Sequence, residues 1–430
     1  MRNHEIKTKQ ILAGLLALSV AFACGCSKKK DESDETRKSR AKKTTVSDTS
    51  EIETSEPTEL TTETSETSET TETSETQASS SETNVYVPDS FKSSDADSYL
   101  DSIDLDGVVL VAENGNISYT RASGYADRKA KISNTMDTVF EFGSITKQFT
   151  AVAVMQLVEQ GKLSTDDTLD NYVPEYKYAK DITIHQLLNM TSGVPDYLYC
   201  GVLGFTMDDF KNVSLSTLFS FEAMMGEIAT TPIDPDDLVR RMSDYELDFA
   251  PGTEFEYSNT NYYFLGMIIE KLSGMPYDEY VRKNILEPLD LKDLYPDTDH
   301  LTSNGRTDMT IFNFDFPHQD ASLSYAVGVM TGTAEGLLKW EYKVMERALL
   351  KPESWEKVFD GGQFGYGYGW YVEDGYVEHS GMTLGYNTNV RVDLETGRVV
   401  IVLCNIQPIT GTPKRPMASE VGDKLWGYFG

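Results

Sequence analysis

Positive charge is scarce in this sequence, and between residues 44 and 91 it vanishes. Lys and Arg number 38 against 69 Asp and Glu, for a formal net charge of −31. Residues 1–43 carry eleven basic side chains and five acids, residues 44–91 no basic side chain and twelve acids, and the remainder about −25. A domain with that field repels phosphate backbones, which argues against nucleic acid as a partner. Cysteine is also rare: Cys24 and Cys26 lie near the start, while Cys200 and Cys404 are far apart and cannot be paired from sequence alone. The five histidines are scattered without metal-ligand spacing, so neither a metal nor a cofactor is expected. The first apolar run, Ile11 to Ala23, is too short to span a bilayer comfortably.

That run follows a basic segment containing Arg2, Lys7 and Lys9, the pattern of an export signal. It ends in "AFACGC". A small residue followed by cysteine resembles the lipobox of bacterial lipoproteins, in which the cysteine becomes the lipidated N-terminus. Cys26, between Gly25 and "SKKK", is favoured over Cys24. The leucine usual three residues earlier is absent, and plain cleavage with secretion is the alternative. Residues 1–26 are thus expected to be a lipoprotein-type signal segment, holding the protein on the outer side of a bacterial cell membrane. Residues 27–94 include "TSEPTELTTETSETSETTETSETQASSSET", nearly free of apolar side chains. Such a segment cannot bury enough surface to offset its ordering entropy, so a disordered acidic linker is expected. As a flexible chain it reaches roughly 50 Å, and at full stretch about 200 Å.

Residues 95–430 read as one globular domain. "SSDADSYLDSI" suggests a short helix, and "GVVLVAENGNISYTRASG" a hairpin turning at Asn114-Gly115. "YNTNVRVDLETGRVVIVLCN" suggests a second hairpin and "ASEVGDKLWGYF" a closing helix. Strands at both ends with helices between predict an α+β fold: an antiparallel sheet of N- and C-terminal strands, flanked by helices, with a mostly helical insertion. Residues 198–240 are assigned to that insertion.

The stretch "SITKQFTAVAVMQLVEQGK", residues 144–162, has no internal Pro or Gly before its Gly161 cap. It is apolar nearly all round, which predicts a buried helix. Ser144 is expected in its first turn with Lys147 one turn deeper on the same face. Ser-x-x-Lys occurs four times, starting at Ser27, Ser39, Ser144 and Ser354, but only Ser144 heads an apolar helix. A serine hydroxyl is a poor nucleophile until a base takes its proton. A lysine can act as that base only when neutral, and burial disfavours its charged form. A capping serine and a snorkelling lysine would give the same local pattern.

Two later stretches bear on that choice. Tyr257-Ser258-Asn259 follows a Pro251-Gly252 turn and precedes an apolar helix; His379-Ser380-Gly381 precedes a terminal strand. Together with Ser144 and Lys147 they resemble the serine β-lactamase and penicillin-binding-protein superfamily, in its class C β-lactamase-like branch. "ITIHQLLNMTSGVPDY", "APGTEFEYSN" and "GYGYGW" add to the likeness, which covers roughly residues 100–428. The resemblance implies a serine hydrolase in which Ser144 is acylated, Lys147 is its base and Tyr257 shuttles a proton. It implies that Asn259 binds a substrate amide or orients Lys147, and that His379 meets the substrate facing Tyr257. Gly381 would let the strand backbone approach the acyl group, and the amides of Ser144 and Met382 would form the oxyanion hole.

Strict β-lactamases carry lysine where this chain has His379. An imidazole titrating normally would put a limb on the rate profile near pH 6–7, absent in His379→Lys. The expected substrate is a small molecule or peptide, of peptidoglycan origin among the options, with D-amino-acid peptidase or esterase activity favoured over strict β-lactamase. A non-catalytic relative that binds cell-wall fragments is the alternative. His185 is expected at a helix start and Cys404 as a buried strand thiol. Trp370 and the tyrosines of "GYGYGW" are expected either to line the site or to pack.

Overall fold

The computed structural model describes residues 94–198, 226–309, 312–408 and 413–429. The expected signal segment with Cys24 and Cys26, the linker up to residue 93, Cys200 and residues 199–225 of the expected insertion lie outside these residues; Ser94, the last residue assigned to the linker, opens a helix.

The first hairpin forms where its turn chemistry predicts. Strands β1 (Gly107–Glu113) and β2 (Asn116–Ser123) flank Asn114 and Gly115, whose φ of 51° and 82° match the right-handed twist of the hairpin. Short β3 (Tyr371–Glu373) leads into β4 (Tyr376–Thr383), β5 (Tyr386–Val392) and β6 (Arg398–Cys404). Together they make a six-stranded antiparallel sheet, ordered β3-β4-β5-β6-β1-β2. Inside the sheet the first strand pairs with a late one, β1 with β6, from Gly107↔Cys404 to Glu113↔Arg398. Cys404 is a buried strand thiol, as expected.

Alternation along these strands builds two apolar layers. Val109 and Val111 with Val400 and Val402 pack against Leu100 of helix α1 (Ser94–Ser102) and Val421 and Leu425 of the C-terminal helix (Ala418–Phe429). Val108 and Leu110 with Val399, Ile401 and Leu403 face the larger core. That core is centred on α2 (Thr146–Glu159), in which every residue from Thr146 to Met155 is buried. Its end is a Schellman motif around Gly161, φ 69°: Gly161 N–H reaches Val158 O at 2.9 Å and Lys162 N–H reaches Leu157 O at 3.0 Å. Around α2 pack α3 (Asn259–Ser273) and α4 (Ala321–Gly328). Phe149 of α2 stacks on Trp340, ring centroids 4.2 Å apart, joining α2 to the helix Ala334–Met345 that covers β1 and β6. Each such side chain taken from water stabilises the fold by about 1.5–3 kcal/mol.

Candidate active site

The chain enters α2 through a tight corner. Strand Phe140–Glu141 pairs with Thr331–Gly332, and Phe142 N–H continues that ladder to Met330 O at 2.8 Å. Gly143 then takes φ 57°, and Gly143–Ile145 forms a 3₁₀ turn. Ser144 therefore sits in that turn, just before the α-helix rather than inside its first turn. The left-handed backbone at Gly143 breaks the strand and swings the serine beside β4. Lys147 is the second residue of α2 and is wholly buried.

Lys147 Nζ lies 3.0 Å from Ser144 Oγ, 2.8 Å from Asn259 Oδ1 and 3.0 Å from the Val327 carbonyl oxygen. The last two can only accept. A neutral amine with its N–H bonds on them directs its lone pair at the serine hydroxyl, which is the orientation a base requires. The Tyr257 ring centroid is 4.9 Å from the same nitrogen, and Tyr257 is buried. The nucleophile and amine of one stretch and the phenol ring of another, more than 100 residues on, are thus brought together. Ser354, the other Ser-x-x-Lys outside the expected tail, does not repeat this. It is buried at the start of helix Pro352–Val358 and donates to Glu159 at 2.6 Å, while Lys357 is exposed.

The acceptor at Val327 depends on a backbone irregularity. Within α4, Tyr325 has φ 33° and ψ −136°, outside helical space. The kink places consecutive carbonyls at α2: Ala326 O accepts from Thr150 Oγ1 at 2.6 Å and Val327 O from Lys147. A non-glycine residue held there costs of order 1–3 kcal/mol, which the surrounding aromatic packing of Tyr325 on Tyr263 and Tyr277 must offset.

Asn259 opens α3, and its amide is oriented by Asp196, which lies in "ITIHQLLNMTSGVPDY" but was assigned no role from the sequence. Asp196 Oδ2 accepts from Asn259 Nδ2 at 2.7 Å and from Asn259 N–H at 3.1 Å, while Oδ1 accepts from Leu198 N–H at 2.9 Å. The carboxylate thereby also satisfies an N–H that α3 leaves open at its start. Burial raises the Asp196 pKa above the ordinary carboxyl value, against the pull of the Asn259 hydrogen bonds and the charge of Lys147. The "SGVPDY" loop is laced to the helix start at further points: Ser192 Oγ to Asn261 Oδ1 at 2.6 Å and Thr260 Oγ1 to Pro195 O at 2.7 Å.

His379 is buried in β4 with its ring centroid 6.0 Å from that of Tyr257, so the two face each other as expected. Its hydrogen bonds lie elsewhere. Nδ1 is 2.7 Å from Ser380 O, which only accepts, so Nδ1 carries the proton and Nε2 accepts from the Tyr366 hydroxyl at 3.1 Å. Burial, then the charge of Lys147, drive the His379 pKa down to about 3 despite the bond to Ser380. This corrects the expected limb near pH 6–7: the imidazole is neutral throughout that range and cannot supply it.

Gly381 is required by its protein neighbours. A methyl group there would come 1.8 Å from Phe142 O and 2.4 Å from Thr388 Oγ1. The glycine thus lets β4 close on the segment leading to Ser144. At Gly143 a methyl would sit 2.6 Å from the Met382 nitrogen. The Met382 amide is thus beside the residue preceding Ser144.

The "GYGYGW" segment divides its roles. Tyr366 holds His379; Tyr368 bonds His185 Nδ1 at 2.7 Å; Trp370 packs on Trp355 and Phe359. His185 lies at the start of helix Ile184–Leu188, as expected. Near the expected insertion, helix Pro235–Met242 is among the described residues.

Residues 96–419 match the model of the family described as Beta-lactamase. The chain belongs to the beta-lactamase family. This family member is 27% identical over 341 residues to the Bacillus subtilis (strain 168) penicillin-binding protein PbpX, spanning 77% of this chain and 78% of that one. Among solved structures it resembles the octameric penicillin-binding protein homologue from Pyrococcus abyssi, with a TM-score of 0.63 and 26% identity over 79% of this chain and 77% of that one. It shares its fold with the D-amino acid amidase from Ochrobactrum anthropi SV3, with a TM-score of 0.63 and 22% identity over 78% of this chain and 99% of that one. The α+β reading and the superfamily resemblance both hold.

Proposed function

We propose that this beta-lactamase family member is a serine hydrolase that cleaves a small peptide, amide or ester through an acyl-enzyme on Ser144. The observation that carries the reading is the buried Lys147 amine, 3.0 Å from Ser144 Oγ with acceptors on its other sides. In the first half-reaction Ser144 Oγ attacks the substrate carbonyl carbon as its proton passes to Lys147. The amides of Ser144 and Met382 hold the oxyanion. The bond to the leaving group then breaks, and Tyr257 delivers a proton to that group, replaced from Lys147. In the second half, water adds to the acyl carbon, gives up its proton through Tyr257, and releases the acid with Ser144 reprotonated. Asn259 orients Lys147.

The neutral His379, tied to Tyr366, offers no cation to a substrate carboxylate. A D-amino-acid peptide or amide, or an ester, is therefore favoured over a strict β-lactam. Parallel turnover assays on an activated ester, a D-amino-acid amide and a penicillin test the reading. Turnover of either of the first two that is lost in Ser144→Ala supports it. Binding of cell-wall fragments with no turnover of any would favour the non-catalytic alternative.

We further propose that residues 27–94 tether domain 95–430 outside a bacterial membrane through a lipidated Cys26. Incorporation of a fatty-acid label that Cys26→Ser abolishes supports this. A label that survives Cys26→Ser and is lost in Cys24→Ser would move the anchor, and a wholly secreted, unlabelled product would remove it.

A further inference from the structure

The geometry points to Asp196 as a positioning residue that aims the Lys147 lone pair by fixing which end of the Asn259 amide faces it. The inference rests on the acyl-enzyme reading and adds a residue to it. A side-chain amide has two unlike ends in nearly the same outline. Asp196 Oδ2 accepts from Asn259 Nδ2 at 2.7 Å, so Oδ1 is the end turned to Lys147, at 2.8 Å. Oδ2 already accepts from the Asn259 backbone N–H at 3.1 Å as well, so it carries no proton to give and does not tolerate the reversed amide. Were the amide reversed, Nδ2 would present an N–H to Lys147 and draw the lone pair away from Ser144.

Asp196 is itself held on both oxygens, by Leu198 N–H at 2.9 Å and Asn259 N–H at 3.1 Å, so its carboxylate plane is fixed by backbone. It also lies close enough to feel the charge of Lys147, and a nearby anion favours the ammonium. The other titratable groups facing the pair are Tyr257 and Tyr262, whose ring centroids are 4.9 and 5.8 Å from Nζ, together with His379 and Tyr197. His379 is neutral at working pH, and burial holds Tyr197 well above its ordinary value, so neither changes charge across the range assayed.

The test is pre-steady-state acylation by p-nitrophenyl acetate across pH 5–10, in the full chain. Asp196→Asn allows the reversed amide and removes the anion. Burst rates are expected to fall about 100-fold, the cost of a misaimed reacting group. The rising limb, where the amine gives up its proton, is expected to move to lower pH. Asp196→Glu keeps the charge, and its limb is expected to stay in place even where the rate falls. A purely structural role would lower rates evenly in both variants without moving the limb, and that result overturns the inference, as does an unchanged Asp196→Asn. Should Asp196→Asn fail to fold, Asp196→Ser retains an acceptor and carries the same expectations. No burst in the unaltered protein would overturn the acyl-enzyme reading and this inference together, whereas a normal parent burst with unmoved variants overturns the inference alone.

Discussion

The Tyr366 hydroxyl donates to Nε2 of His379 across 3.1 Å, with both side chains buried. The bond fixes one imidazole tautomer, and burial keeps it uncharged to about pH 3. The unfolded chain binds a proton on this residue below about pH 6.5, its ordinary value, while the folded chain does not. His379 therefore weakens the fold as pH falls from about 6.5 toward 3. Thermal melts between pH 7 and 4 are expected to show a fall in Tm that His379→Gln reduces. Parallel curves for the two proteins would contradict the assignment.

Tyr366→Phe leaves Nε2 buried without its donor. A loss of about 1–3 kcal/mol in denaturant-measured stability is expected, the cost of an unsatisfied buried polar group. A neutral result would mean that another donor takes its place.

Gly381→Ala forces a methyl against Phe142 O, a backbone atom that cannot rotate away. The expected cost is about 1–3 kcal/mol of stability from overpacking. Because β4 carries Met382, acylation should also slow by about 10²–10³-fold as the oxyanion donors separate. Equilibrium unfolding and burst kinetics on the same preparation check both. A stability loss with an unchanged acylation rate would remove Met382 from the oxyanion site.

Lys147→Met replaces a buried amine with an apolar chain of similar length. Removing the base should slow acylation by about 10²–10⁴-fold. Stability should fall by about 1–3 kcal/mol, since Asn259 Oδ1 and the Val327 carbonyl lose their buried donor. A variant that keeps both its stability and its rate would contradict both parts.

Local chemistry explains which of these features were legible in the sequence. Asn114-Gly115 marked the first hairpin because its turn needs φ above zero twice. The run from Phe149 to Val158 marked a buried helix because only Thr150 and Gln156 interrupt its apolar side chains, and a lysine at its mouth demanded a reason. Asp196 lay inside the quoted "ITIHQLLNMTSGVPDY" stretch, but its role was not legible: it sits in a loop without periodicity, 63 residues from the amide it orients. The Val327 acceptor was hidden too, because the kink that exposes it falls at Tyr325 with neither proline nor glycine beside it. His379 was legible as a site residue but its protonation was not, since burial and the Tyr366 bond arise only in three dimensions.

The central claim is that Ser144 becomes covalently acylated because Lys147 takes its proton. Intact-protein and peptide mass spectrometry after brief exposure to an activated ester measures this directly, at several pH values. The account predicts an acyl adduct on the peptide containing Ser144, absent in Ser144→Ala and formed about 10²–10⁴-fold more slowly in Lys147→Met. An adduct on another residue, or one that forms on Ser144 at the same rate without the lysine, would contradict it.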